Sequence, residues 1–197
     1  MRKGRLEAFS DGVLAIVITI MVLELKAPAS AELSSLLPLW PIVLSYVLSF
    51  VHLGIYWNNH HHLLQAARRV NGRILWANLH LLFWLSLVPF VTAWMGENRF
   101  AAMPVALYGV VLLASAVAYF ILSRELIAYH GDESMLLKAL GKDWKAKLSL
   151  AAYAVAIPLA FMSAWLACGF YWLTAAMWLS PDRRIEAVLS HRSEGQA

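Results

Sequence analysis

The chain has 197 residues, of which 61% are hydrophobic and 14% charged, and its mean hydropathy is +0.63. A water-soluble domain carries about a quarter charged residues, so this composition excludes a compact body coated in water and points to lipid as the main solvent. The single cysteine, Cys168, excludes an intrachain disulfide and a thiolate zinc cage.

Apolar runs fall at 9–25, 39–57, 74–95, 101–123 and 148–179, with the charges collected between them. A helix rises 1.5 Å per residue and needs about 20 residues to cross a hydrocarbon core of roughly 30 Å, so each of the first four runs makes one span. The fifth would reach about 48 Å as one helix, and Gly169 near its middle offers a place to turn. A hairpin of two short helices there gives six spans. No internal repeat or low-complexity stretch interrupts them.

The first run competes with a secretory signal peptide, because Arg2, Lys3 and Arg5 precede it and Ala29-Ser30-Ala31 resembles a cleavage site. Glu7 and Asp11 place acids where a signal peptide wants cations, which favours a retained helix. On a wheel of about 100° per residue, Phe9, Gly12, Ile16, Thr19, Ile20 and Leu23 form one stripe, and Glu7 and Asp11 lie opposite with Leu14 and Ile18. Carboxylates inside a span are expensive and need donors within the bundle.

The second run supplies donors: Ser45, Ser49, His52, Tyr56 and Asn59 recur at helical spacing, a polar stripe that cannot face lipid. His60, His61 and His62 follow, and Asn78 and His80 open the third span. These residues are expected to form a side-chain network with Ser10 and Asp11 that locks the inner ends of the first three helices. A metal centre on His60, His61, His62 and His80 is the sharper alternative, although three consecutive histidines point in three directions on a helix, unlike the i, i+4 pairs of metal sites. His52 and Tyr56 have that spacing, but no carboxylate lies at their depth, so His52 is expected to be a satisfied core histidine.

Between the fourth and fifth runs, Met135, Leu136, Leu137, Leu140 and Trp144 share helical spacing with Lys138, Lys142 and Lys145 between them, as in a short helix on the inner membrane surface. Orientation follows from the basic residues, because Lys and Arg are retained on the cytoplasmic side. With six spans and the N-terminus inside, all of the 16 Lys and Arg except Lys26 and Arg99 fall on one side. The pI near 9.3 therefore reports membrane orientation, with no nucleic-acid partner implied, and both termini are expected in the cytoplasm. Trp40, Trp57, Trp76, Trp94 and Trp178 sit near expected span ends, where an indole is half wet.

Arg5, Phe9, Ser10, Asp11 and Gly12, followed by Ala15-Ile16 and Thr19, resemble the Arg-x-x-x-Phe-Ser-Asp signature of the transmembrane protein 175 family, the endolysosomal potassium channels and their prokaryotic relatives. Ser49-Phe50, Tyr56-Trp57, His60-His61, Asn78 and Leu87 to Phe90 resemble that family's second and third helices; the last three spans match by hydropathy alone. The resemblance implies an all-α polytopic channel in a prokaryotic plasma membrane, four copies of which surround one pore lined by the first helix. Residues 1–184 would form the channel domain and 185–197 a cytoplasmic tail. Carried onto this chain, Ile16 is the apolar constriction, with Ile20 and Leu23 as further layers and Thr19 beside them. Arg5, Phe9, Ser10, Asp11, His60, His61 and Asn78 form the structural signature network.

The implied activity is potassium permeation with modest selectivity over sodium, in lipid, as a homotetramer, without cofactor, metal or enzymatic chemistry. A proton-conducting channel of the same fold and a membrane-embedded metalloenzyme remain the alternatives.

Overall fold

The computed structural model describes residues 3–67, 69–130 and 144–179. Its helices are α1 (Lys3–Leu23), α2 (Trp40–Ala66), α3 (Gly72–Ser86), α4 (Val88–Glu97), α5 (Ala102–His130), α6 (Trp144–Leu159) and α7 (Ala164–Leu179), with a 3-10 helix at Leu33–Leu39. The protein is an all-helical, multi-pass membrane protein. Four stretches are long and apolar enough to span: α1, Leu33–Ala66, Gly72–Glu97 and α5. The shorter α6 and α7, 16 residues each, complete the six crossings.

α3 and α4 make one crossing with a break at Leu87. Pro89 has no N–H to return to the preceding turn, so the ladder restarts there. Asn71 caps the start of α3, its Oδ1 accepting from the Ile74 N–H at 2.9 Å.

The last apolar run does fold as a hairpin, but its turn is at 160–163, and Gly169 lies inside α7. Two local signals outweigh the glycine. Pro158 stands in the last turn of α6, and Ser163 opens α7, its carbonyl accepting from the Ala167 N–H at 3.2 Å. The expected inner-surface helix falls almost entirely on 131–143, and the tail on 180–197, both outside the described residues.

The two ends of the bundle are tied separately. At the end carrying the start of α1, here called the N-face, Lys3 Nζ donates to the Gln65 carbonyl at 3.1 Å and pairs with Glu7 at 3.3 Å. His130 Nε2, at the end of α5, accepts from the Arg69 N–H at 3.3 Å on the same face. At the opposite face, Lys26 approaches Glu97 at 3.9 Å, and Phe100, Trp40 and Trp165 form a three-ring cluster, Phe100 lying 6.1 and 5.0 Å from the two indoles and these 5.9 Å from each other. Arg99 and Phe100 both take left-handed backbone, φ 49° and 60°, which a bulky side chain adopts only when its surroundings hold it. Burial of Phe100 against those tryptophans is what holds this turn.

The polar stripe of α2 turns inward. Ser45, Ser49, His52 and Tyr56 are buried and Asn59 is half-buried. Ser49 Oγ shares a 2.6 Å hydrogen bond with Thr92 Oγ1 of α4 and donates to Tyr108 Oη of α5 at 3.1 Å, so one hydroxyl joins three helices. α2 and α4 meet closely at Gly96, where an added Cβ would stand 2.5 Å from Ser45 Oγ and 2.9 Å from Ile42 Cα. On the far side, Tyr171 of α7 donates to the Val105 carbonyl at 3.1 Å, its hydroxyl occupying the space that Gly109 leaves open.

Candidate functional site: the bare face of the first helix

α1 packs against α2, α3 and α4. It buries Leu6, Ser10, Leu14, Val17 and Met21, a stripe at helical spacing that carries one hydroxyl among four apolar side chains. The other side is uncovered by the subunit. Phe9, Gly12, Ile16, Thr19, Ile20 and Leu23 are exposed, Ile16 at 58% and Leu23 at 73%. The stripe isolated on the wheel is therefore a continuous open surface of the folded subunit. An open groove of about 660 Å³ runs along it between α1 and α4, walled by Ile16, Ile20, Phe90 and Trp94, with Glu24 and Glu97 at the opposite-face end.

Thr19 is the polar position in that stripe. Its Oγ1 lies 2.9 Å from the Ala15 carbonyl and 3.0 Å from the Ile16 carbonyl, so the hydroxyl proton is donated back into the helix. What remains on the surface is an oxygen with lone pairs, which can accept a hydrogen bond or face a cation.

The back of α1 is fixed by a short relay. Asn78 Nδ2 of α3 donates to Ser10 Oγ at 2.9 Å, and His60 Nε2 of α2 donates to Asn78 Oδ1 at 2.7 Å. All three side chains are buried. One amide thus uses both of its ends to join three helices, the sort of connection a water-free interior requires.

The other expected members of the network are elsewhere. Asp11 is half-buried and its Oδ1 accepts from Trp57 Nε1 at 3.1 Å. α2 continues beyond Trp57 to Ala66. The apolar run stops at Trp57 because the following residues are polar, while the helix does not. His61 stacks on Trp57 with ring centroids 6.0 Å apart. Arg5 and Phe9 are exposed and stand apart from the relay. The Trp57 partnership and the α4 wall were missed in the sequence; an indole in the middle of a helix facing the depth of Asp11 was the available signal.

The histidines diverge. His60 binds Asn78, His61 stacks on Trp57, and exposed His80 accepts from Trp84 Nε1 at 3.0 Å on its own helix. Among the described residues no group of three His, Cys, Asp or Glu side chains converges to hold a metal ion. His52 is buried in the middle of α2 but only half satisfied: Nδ1 meets the Leu48 carbonyl at 2.9 Å, while Nε2 has no partner within the described residues.

The protein is a polytopic helical membrane protein whose first helix is packed on one side and bare on the other. Comparison with known proteins gives the family. The family model for the endosomal/lysosomal potassium channel TMEM175 matches residues 5–89, from the signature arginine to the proline after the α3–α4 break. A protein named as a potassium channel in Chryseobacterium sp. (strain P1-3) is 54% identical over 96% of this chain and 98% of its own length. Another, from Chamaesiphon minutus, is 34% identical over 87% of this chain and 91% of its own. The crystal structure of a lysosomal potassium-selective channel TMEM175 homolog from Chamaesiphon minutus superposes with a TM-score of 0.80 at 32% identity, covering 90% of this chain and 96% of that one. The chain belongs to the TMEM175 potassium channel family.

Proposed function

We propose that this protein is a potassium-permeable channel in which four copies surround a single pathway lined by Ile16, Thr19, Ile20 and Leu23 of α1. The observation that carries the reading is the bare apolar face of α1, exposed along its length while the relay of Ser10, Asn78 and His60 holds the opposite side. Large side chains on that face have no role in the subunit's own core, and an open groove of about 660 Å³ lies beside them. The names borne by the relatives supply the ion.

The mechanism follows from what the face offers. Ile16 presents no oxygen, so a ring of Ile16 side chains forces a passing ion to shed water with nothing to replace it, and potassium releases water more readily than sodium. One turn further, the Thr19 oxygens can partly replace that water. Selectivity from such a collar is modest, because dehydration is penalised and not compensated by a fixed cage. Glu24 and Glu97 at the groove's end would raise the local cation concentration. The signature network positions α1 and does not meet the ion. The N-face, where the basic residues collect, is cytoplasmic in this reading, with both termini inside the cell and the body in the plasma membrane.

Reversal potentials of purified protein in planar bilayers, under opposed potassium and sodium gradients, test it. Ile16→Asn adds an amide to the collar and should move the permeability ratio toward sodium while conductance holds or rises. Ile18→Asn, on the half-buried side, should leave the ratio unchanged. The opposite pattern removes Ile16 from the pathway. Absence of potassium current from the wild-type protein would refute the function.

A further inference from the structure

A second polar feature lies inside the subunit, on helices that do not touch the α1 face. A cavity of about 40 Å³ is enclosed by α2, α5, α6 and α7, with His52, Tyr56, Asn59, Tyr119, Ser149 and Tyr153 supplying its polar lining and Ala116 and Ala175 its apolar wall. On the same measure a single water needs about 10 to 15 Å³, so the cavity admits about three. No carboxylate lines it, and its surface is mostly apolar, which leaves nothing to neutralise an ion.

The His52 ring fixes what the cavity must contain. The Leu48 carbonyl can only accept, so Nδ1, 2.9 Å from it, carries the ring proton. In the neutral imidazole Nε2 is then a bare lone pair. His52 is 3% exposed, and Nε2 is buried without a partner among the described residues. The flanking Tyr108 and Tyr153 rings lie 6.3 and 6.5 Å from the imidazole, centroid to centroid, and neither hydroxyl is hydrogen-bonded to Nε2. Across the cavity, Ser149 Oγ donates to the Lys145 carbonyl at 2.9 Å and accepts from Trp178 Nε1 at 2.9 Å, leaving one lone pair of its own. The cavity therefore has a free acceptor on two sides, His52 Nε2 and Ser149 Oγ, and no described side chain donates to the first.

We propose that this cavity is a binding site for a small uncharged hydrogen-bond donor, water in the resting channel, with one molecule donating to His52 Nε2. It is separate from the ion pathway and shares no residue with α1. Its occupancy satisfies the buried polar stripe of α2 where no side chain does.

Two measurements on the full-length protein in lipid test the site. In histidine-labelled protein, the Nε2 nitrogen resonance, assigned by its loss in His52→Leu, is expected at the position of a hydrogen-bonded acceptor and with a correlation to exchangeable water protons. A free lone-pair resonance without that correlation overturns the proposal. The second measurement compares Tm for Ala116→Val in two backgrounds. Filling a hydrated site evicts its donor, so Ala116→Val should lower Tm by about 2 to 4 °C in the wild-type protein and leave it equal or higher in His52→Leu, where no acceptor needs a partner. A dry cavity predicts the reverse for the wild type: the added methyl groups fill a void and Tm rises in both backgrounds, which would refute the site. The resonance of the wild-type protein, assigned through His52→Leu, decides the matter even if Ala116→Val fails to fold.

Discussion

Replacing Asn78 by leucine should unlock α1 from behind while leaving its front untouched. The amide accepts from His60 Nε2 at 2.7 Å and donates to Ser10 Oγ at 2.9 Å, and the three residues are at most 1% exposed. The two partners suffer differently. Ser10 loses a donor to its hydroxyl oxygen, an interhelical bond worth about 0.6 kcal/mol in a membrane bundle. His60 loses the acceptor for a buried N–H, at a cost of about 1 to 3 kcal/mol. Asn78→Leu should therefore destabilise the subunit by about 2 to 4 kcal/mol, and Ser10→Ala, which strands the buried Asn78 N–H, by about 1 to 3 kcal/mol. Removing the stranded donor as well should recover stability, because replacing both partners of a buried bond by apolar groups is nearly neutral. The double variant Asn78→Leu/His60→Leu is thus expected to be more stable than Asn78→Leu alone. Unfolding in mixed micelles of rising sodium dodecyl sulfate fraction, followed by tryptophan fluorescence, gives the values for Asn78→Leu, Ser10→Ala, His60→Leu and the double variant. If His60→Leu adds its full single-variant cost in the Asn78→Leu background, the relay is not a coupled unit and the account of how α1 is held is wrong.

Other substitutions separate the subunit's interior from its bare face. Gly96→Ala drives a methyl group to within 2.9 Å of the Ile42 backbone and should cost about 1 to 3 kcal/mol in the same unfolding assay, since the backbone of α2 or α4 must shift. A Cβ added at Gly12 meets nothing within 4 Å and the position is exposed, so Gly12→Leu should leave subunit stability unchanged yet reduce potassium current or weaken assembly, measured by liposome flux and by crosslinking; a loss of subunit stability without either effect would show that α1 is not facing a neighbour. For topology, reporters inserted at the 160–163 turn and at residue 197 should be found on opposite sides of the membrane, the second in the cytoplasm; finding both on one side would refute six crossings.

Much of the architecture is local enough to be written in the chain. Each span is a run of apolar residues long enough for lipid, and the uneven placement of Lys and Arg sets an expectation of parity and direction without reference to any contact. Helical periodicity separated Ile16, Thr19, Ile20 and Leu23 from the side of α1 bearing Asp11, and it marked Ser45, Ser49, His52 and Tyr56 as an inward stripe, because both are properties of a single helix. The same logic failed where two local signals competed. Gly169 looked like the turn of the last hairpin, but a glycine is tolerated within a helix, whereas Pro158 and the opening Ser163 define a stop and a start.

What a helix faces is not a property of that helix. The wheel placed Asp11 on the polar side of α1, but only the packing of α2 beside it delivers Trp57, and Asn78 was one candidate donor among several until α3 brought it between Ser10 and His60. The sequence marked the two sides of α1 as different. Which side is clasped and which is left bare was decided by α2, α3 and α4 closing around Ser10, Leu14 and Val17, because burial is a relation between elements distant in the chain.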